Sequence, residues 1–242
     1  MSSARLRSVV ITLLLWAYFI GVFVAGYWLV FLFAGTLRGQ RGLAWALRSY
    51  TRGFLAALRL AIPRLRLEVP EQRELHLTRG TVVVCNHLSF LDPLLMLALV
   101  PRLITIVRPD IFRIPVFGWL LRGGGFLAPE LFSKGQPWID RVAQHLRRGG
   151  NLLIFPEGTR SRNGQLAPFK KGAFYLAKHL SAPILVLRID GTERVLAPGR
   201  LTFDVGVERT IRLRQLALIG AADAAENTSL ELTAEVRSML KA

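Results

Sequence analysis

The chain is predicted to be α/β: a single globular domain with a largely parallel central sheet flanked by helices. An N-terminal membrane-embedded helical segment and a basic amphipathic helix are expected to precede it. Three observations lead there. Short β-rich runs alternate with helical patterns beyond Pro70, residues 8–35 carry no charge, and arginines punctuate an apolar repeat directly after them. The expected division is residues 1–66 for the anchor and basic helix, and residues 67–242 for the globular domain.

The anchor comes first. The protein is 52% hydrophobic with a mean hydropathy of +0.37, too apolar for a purely soluble chain of 242 residues. The run "SVVITLLLWAYFIGVFVAGYWLVFLFAG" would span about 42 Å as a helix, against roughly 30 Å of hydrocarbon. One tilted transmembrane helix fits, as does a bent, partly inserted pair breaking near Gly21 and Gly26. A cleaved signal peptide would have a shorter apolar region, about 7–15 residues.

The basic helix follows. Arg38, Arg41, Arg48, Arg52 and Arg59 interrupt a segment in which Leu43, Leu47, Tyr50, Phe54 and Leu58 recur at helical spacing. Such a helix suits a headgroup layer, its arginines facing anionic lipid; packing on the body with a solvated basic face is the alternative. The net charge of +16 fits anionic lipid or an acidic protein. Nucleic acid is set aside, because the charge adjoins a membrane segment and no stacking platform is present. Arginine-rich flanks place the globular part on the cytoplasmic face of a cell membrane. The 27 Arg against five Lys suggest a bacterial inner membrane. The lone cysteine, Cys85, excludes an intrachain disulfide, fits a reducing compartment and is expected to pack in the core.

"PRLRLEVP" is expected to end the membrane-proximal part. Then "TVVVCN" predicts a strand and "DPLLMLALV" a helix; "LITIV" predicts a strand and then a loop. "IDRVAQHLRR" and "FKKGAFYLAKHL" predict helices leading into the strands "NLLIF" and "ILVLRI". "RLTFDVGVERTIRL" reads as further strand, and a helix from Ser229 to Leu240 closes the chain.

Two strand ends carry chemistry, where α/β sheets collect their sites. The first holds His87 and Asp92. Asp92 before Pro93 makes a good helix N-cap. A tight loop could equally return its carboxylate to one imidazole nitrogen, leaving the other to take a proton. The second, "NLLIFPEGTRSRNGQLAPFKKG", offers Glu157, Gly158, Thr159, Arg160, Ser161 and Arg162, then Lys170 and Lys171. Glycine permits close backbone approach, arginine forks onto phosphate, and lysine adds a point charge. A charged surface loop is the plainer alternative.

"NHLSFLD" resembles the N-H-x-x-x-x-D motif of the glycerolipid acyltransferases, and "FPEGTRSR" their F-P-E-G-T-R-S motif. "RIPVFGWLLRGGG" and "APILVL" are similar to two weaker motifs, so the resemblance covers about residues 67–191. It is strongest toward 1-acylglycerol-3-phosphate acyltransferases. It implies His87 as base, Asp92 as its partner, and Glu157, Gly158, Thr159 and Arg160 as acceptor-binding block; Lys170 and Lys171 are the further cations that the loop itself offers. It implies an acyl thioester donor, acyl-CoA or acyl carrier protein, with no cofactor and no metal. The expected acceptor is 1-acylglycerol 3-phosphate; another lysophospholipid or a lyso-aminolipid is the alternative. In one place the chain departs from the pattern: Pro129 and Glu130 stand where an Asp-Arg pair is usual. Asp140-Arg141 is a poor replacement on a helix, and Arg108, Arg122 or Arg160 could compensate. A hydrolase using Ser89 lacks the G-x-S-x-G elbow, and an inactive membrane-binding module leaves His87 with Asp92 unexplained.

Overall fold

The computed structural model describes residues 3–22, 28–62, 64–70, 75, 80–114, 117–128, 136–161, 165–205 and 208–241. Helix α1 (Ser3–Val22) and the kinked α2 (Trp28–Ala61) lead into β1 (Leu65–Glu68), β2 (Val82–Cys85), α3 (Leu91–Leu99) and β3 (Leu103–Thr105). After a 3₁₀ turn (Ile111–Arg113) come α4 (Phe117–Gly123), α5 (Gln136–Arg147), β4 (Asn151–Ile154), α6 (Gly172–His179) and β5 (Ile184–Asp190). Then follow α7 (Thr192–Val195), β6 (Arg209–Ile219), α8 (Ala221–Glu226) and α9 (Ser229–Lys241).

The strands form one sheet in the order β1-β6-β5-β2-β4-β3. All its pairings are parallel except β5–β6, so the sheet is mixed. Among the described residues between β5 and β6 the four-residue α7 is the one helix, and the chain turns back beside β5. The tail read as strand from Arg200 becomes one only at Arg209; Phe203 and Val205 are buried in the core instead.

The period-two alternation of β residues sorts side chains between two cores. Val83, Cys85, Leu153, Leu185 and Leu187 face α1, α2 and α3; Val82, Val84, Leu152, Ile184 and Val186 face α5, α6, α8 and α9. Each side chain of this size stabilises by about 1.5–3 kcal/mol when fully buried, which ties both helix layers to the sheet.

Two expectations for the first 66 residues change. α1 ends at Val22 and α2 begins at Trp28, and among the described residues no helix is long and apolar enough to cross a membrane. The uncharged run is divided between two helices: beyond Arg7 the rest of α1 reaches only about 22 Å, and the start of α2 before Arg38 about 15 Å, against ~30 Å of hydrocarbon. Residues 23–27 between them lie outside the described residues. The single tilted span is thereby corrected.

The amphipathic stripe is corrected as well. Leu43, Leu47, Tyr50, Phe54 and Leu58 are all buried against the protein body, not turned to a headgroup layer. Arg48 donates to the carbonyls of Ala98 (3.2 Å) and Leu99 (3.0 Å), and Arg52 to Ala98 (3.0 Å). They cover the last carbonyls of α3, which no turn of helix can satisfy. Burial lowers the Arg48 pKa from its ordinary value, and the neighbouring Arg52 charge adds to that.

The expected division at 66/67 falls inside β1, and Leu15, Phe54, Leu58 and Ile62 share one core with the sheet. At Gly39 α2 kinks, with φ 55° and ψ −139°; only glycine holds that conformation without strain.

α1 docks through a few polar bonds and aromatic edges. The Trp16 indole N–H donates to the Leu201 carbonyl (2.8 Å), and the Thr12 hydroxyl accepts from the Phe203 N–H (2.9 Å). Trp16 and Phe19 pack on Phe90, at 5.7 and 5.9 Å between ring centres. The opposite face exposes Leu6, Val10, Leu13, Leu14 and Ile20.

Candidate active site

β2 and β4 lie side by side, with Val84 paired to Ile154. The same register carried three residues on from that pair sets His87 beside Glu157. Both sequence-predicted strand ends therefore meet in space.

The first loop is fixed at its base by Asn86, whose amide donates to the Ile189 carbonyl (2.7 Å) and accepts from the Ile189 N–H (2.8 Å). That locks the end of β2 to β5. The chain then turns into α3, whose N-cap is Phe90, placing Asp92 inside the first turn and not at the cap. From there the carboxylate points back into the loop. Its Oδ2 accepts from His87 Nδ1 (2.8 Å), Leu88 N–H (2.5 Å) and Ser89 N–H (2.7 Å). Its Oδ1 accepts from the Thr192 hydroxyl (2.5 Å). Asp92 is fully buried, and four donors surround its charge.

A carboxylate can only accept, so His87 Nδ1 carries the proton and Nε2 presents its lone pair. Among the described residues Nε2 has no hydrogen-bond partner, and the side chain is 18% exposed. The Phe155 ring stacks on the imidazole at 4.2 Å and 19°. One basic nitrogen is left open to a ligand.

The second loop grips the backbone of the first. Glu157 Oε1 accepts from His87 N–H (3.0 Å), and Ser161 N–H donates to the His87 carbonyl (2.6 Å). Glu157 Oε2 accepts from the Ser161 hydroxyl (2.6 Å) and from Ala167 N–H (2.9 Å). Glu157 is 3% exposed, with both oxygens engaged inside the protein. Expected in the acceptor-binding block, Glu157 is placed as a buried tie between the two loops.

The remaining members of the block do face outward. Gly158 and Thr159 are exposed and Arg160 is half-buried, with no hydrogen bond from the Arg160 guanidinium to any described residue. Gly158 sits at φ +68°, and a Cβ there would lie 2.8 Å from Lys170 Nζ. Lys170 thus brings its ammonium across the glycine. Lys171 is exposed just ahead of α6 and makes no ion pair with a described residue. Arg162, Pro129 and Glu130 lie outside the described residues. Of the other cations, Arg108 forks onto Asp110 (3.0 and 3.0 Å), Arg122 donates to the Phe112 carbonyl (2.8 Å), and Arg141 lies exposed on α5 beside Asp140.

Ser89 drops out as a nucleophile, and Cys85 packs in the core as expected. Ser89 is fully buried, donates to the Leu196 carbonyl (2.6 Å) and accepts from Leu91 N–H. Cys85 is also fully buried, and burial pushes its thiol well above the ordinary range. Among the described residues no three His, Cys, Asp or Glu gather as a metal site. Sequence reading missed Asn86 and Thr192. The signal for Thr192 was its place: like His87 and Glu157, it stands just past a strand, in "RIDGTE".

The chain is 36% identical over 121 residues to the chloroplastic 1-acyl-sn-glycerol-3-phosphate acyltransferase of Brassica napus, covering 49% of this chain and 35% of that protein. It is 35% identical over 125 residues to the human 1-acyl-sn-glycerol-3-phosphate acyltransferase beta, covering 50% and 45%. The chain thus spans a third to about half the length of the curated relatives it matches. The fold is similar to the crystal structure of the 1-acyl-sn-glycerophosphate acyltransferase PlsC of Thermotoga maritima: TM-score 0.78, 22% identity, 98% of this chain and 95% of that one covered. The sequence model described as Acyltransferase matches residues 66–190, just over half of the chain and both motif loops, and the chain belongs to that acyltransferase family.

Proposed function

We propose that this protein is a membrane-bound O-acyltransferase that moves a fatty acyl chain from a thioester to the free hydroxyl of 1-acylglycerol 3-phosphate, giving phosphatidic acid. The observation that carries it is the open Nε2 of His87, backed by the buried Asp92 carboxylate. Nε2 takes the hydroxyl proton as the oxygen attacks the thioester carbon; Asp92 holds the ring and stabilises the imidazolium. The tetrahedral intermediate then expels the thiolate, which recovers the proton from His87. A thioester is already activated, so no acyl-enzyme step is required. The donor is acyl-CoA or acyl carrier protein. The relatives' names support the acceptor.

Arg160 and Lys170 are the cations placed to meet the phosphate. A guanidinium can bind two phosphate oxygens at once and an ammonium cannot. Arg160→Lys is expected to lower kcat/KM for 1-acylglycerol 3-phosphate by about tenfold, leaving the donor KM in place. A panel of lysophosphatidate, zwitterionic lysophospholipids and lyso-aminolipids tests the acceptor. Preference for a lysolipid without a phosphate monoester would shift the assignment to that headgroup.

Membrane attachment rests on the exposed row Leu6, Val10, Leu13, Leu14 and Ile20 of α1, continued by Leu29, Phe33 and Leu37 of α2. We assign this row to the interface of the cell membrane on its cytoplasmic side, the helical pair lying partly inserted. A double Leu13→Glu, Leu14→Glu variant changes only exposed positions. Its partitioning onto anionic vesicles in a flotation assay should fall about a hundredfold, since each leucine is worth roughly 1.5–3 kcal/mol on burial. Unchanged flotation would move the membrane contact elsewhere.

A further inference from the structure

The Asp92 carboxylate needs a fixed orientation if it is to hold the imidazole, and Oδ2 alone does not supply one. Three donors converge on Oδ2, all of them from the loop that leads into Asp92. A carboxylate bound through one oxygen can still swing about that point. What fixes the second oxygen comes from far along the chain: the Thr192 hydroxyl, 2.5 Å from Oδ1 and fully buried.

Thr192 is itself held rigidly. Gly191 before it has φ +88°, and a Cβ there would lie 2.1 Å from the Thr210 carbonyl. This turn is therefore pressed against β6. The Thr192 carbonyl accepts from Leu196 N–H (2.9 Å), closing α7, and the Leu196 carbonyl in turn accepts the Ser89 hydroxyl (2.6 Å). One short segment after β5 thus reaches the catalytic loop twice, at Asp92 and at Ser89.

We propose that Thr192 is a positioning residue for the acyl transfer: its hydroxyl fixes the Asp92 carboxylate so that Nδ1 of His87 is held and Nε2 stays aimed at the acceptor hydroxyl. The inference rests on the reading of His87 as base. Thr192 does not touch the reacting atoms. Among the described residues its hydroxyl has one partner, Asp92 Oδ1. Losing it affects the step in which the imidazolium forms, not the binding of either substrate. Replacing a hydrogen bond to a buried charge by a methyl group costs on the order of a tenfold change or more.

Thr192→Val keeps shape and removes the donor; Thr192→Ser keeps the donor and removes the methyl. Thr192→Val is expected to lower kcat at least tenfold with both substrate KM values within twofold, and Thr192→Ser to restore most of it. The downfield Nδ1–H resonance of His87, read in protein with labelled histidine and assigned by its loss in His87→Ala, should move in Thr192→Val and return in Thr192→Ser. The proposal is overturned if Thr192→Val keeps kcat within twofold, or if Thr192→Ser is as impaired as Thr192→Val, which would make the methyl's packing the cause. Should the wild-type protein transfer no acyl group, the reading of function fails separately and the resonance decides for Thr192: an unmoved signal refutes the positioning role, a displaced one that serine restores upholds it.

Discussion

Asp92→Asn is expected to lower acyl transfer by roughly a thousandfold or more, with the fold intact. The bonding pattern gives the reason. Oδ2 faces the N–H groups of Leu88 and Ser89 as well as His87, so the amide oxygen of asparagine must take that position. Its NH2 then faces the Thr192 hydroxyl, which can rotate to accept. All the geometry survives while the charge behind the imidazole disappears. His87→Ala should lose at least as much, because the proton acceptor itself is gone. Steady-state transfer beside melting curves separates these losses from unfolding. An Asp92→Asn enzyme within tenfold of wild type would mean that the carboxylate only shapes the loop.

The second large effect is on stability. Glu157→Ala removes the acceptor of His87 N–H, the Ser161 hydroxyl and Ala167 N–H together. Each buried donor left unpaired costs about 1–3 kcal/mol, so the loss is several kcal/mol. In a domain of this size each kcal/mol moves Tm by about 2–4 °C, so a fall of roughly 10 °C is expected. Turnover should fall with it, since His87 loses one of its two backbone anchors. A variant with an unchanged Tm and a raised acceptor KM would instead return Glu157 to the acceptor site.

The pairing of His87 with Asp92 was legible because both residues lie in one loop and obey local geometry. The role of Glu157 was not. Its motif marks it as part of a site, but only its bonds to His87, Ser161 and Ala167 show that it points inward. The apolar stripe of α2 shows a similar ambiguity. Leu43, Leu47, Tyr50, Phe54 and Leu58 fit a lipid surface and a protein core equally well, and nothing in helical spacing separates the two. Contacts with α3 decided it, with Arg48 and Arg52 turned to the carbonyls of Ala98 and Leu99. β1 was hidden for another reason: its four residues, "LRLE", alternate too briefly to announce a strand, and β6, its partner, lies more than 140 residues on. Thr192 belongs to the same class, a residue made functional by a contact a hundred positions away.

The most direct measurement is a mass balance on the purified protein in lipid vesicles, with labelled acyl thioester and 1-acylglycerol 3-phosphate. Phosphatidate should form in equal amount to the free thiol released, with little free fatty acid, and His87→Ala should abolish both products together. Thiol release matched by free fatty acid and not by phosphatidate would contradict transfer to the lipid hydroxyl and make the protein a thioesterase.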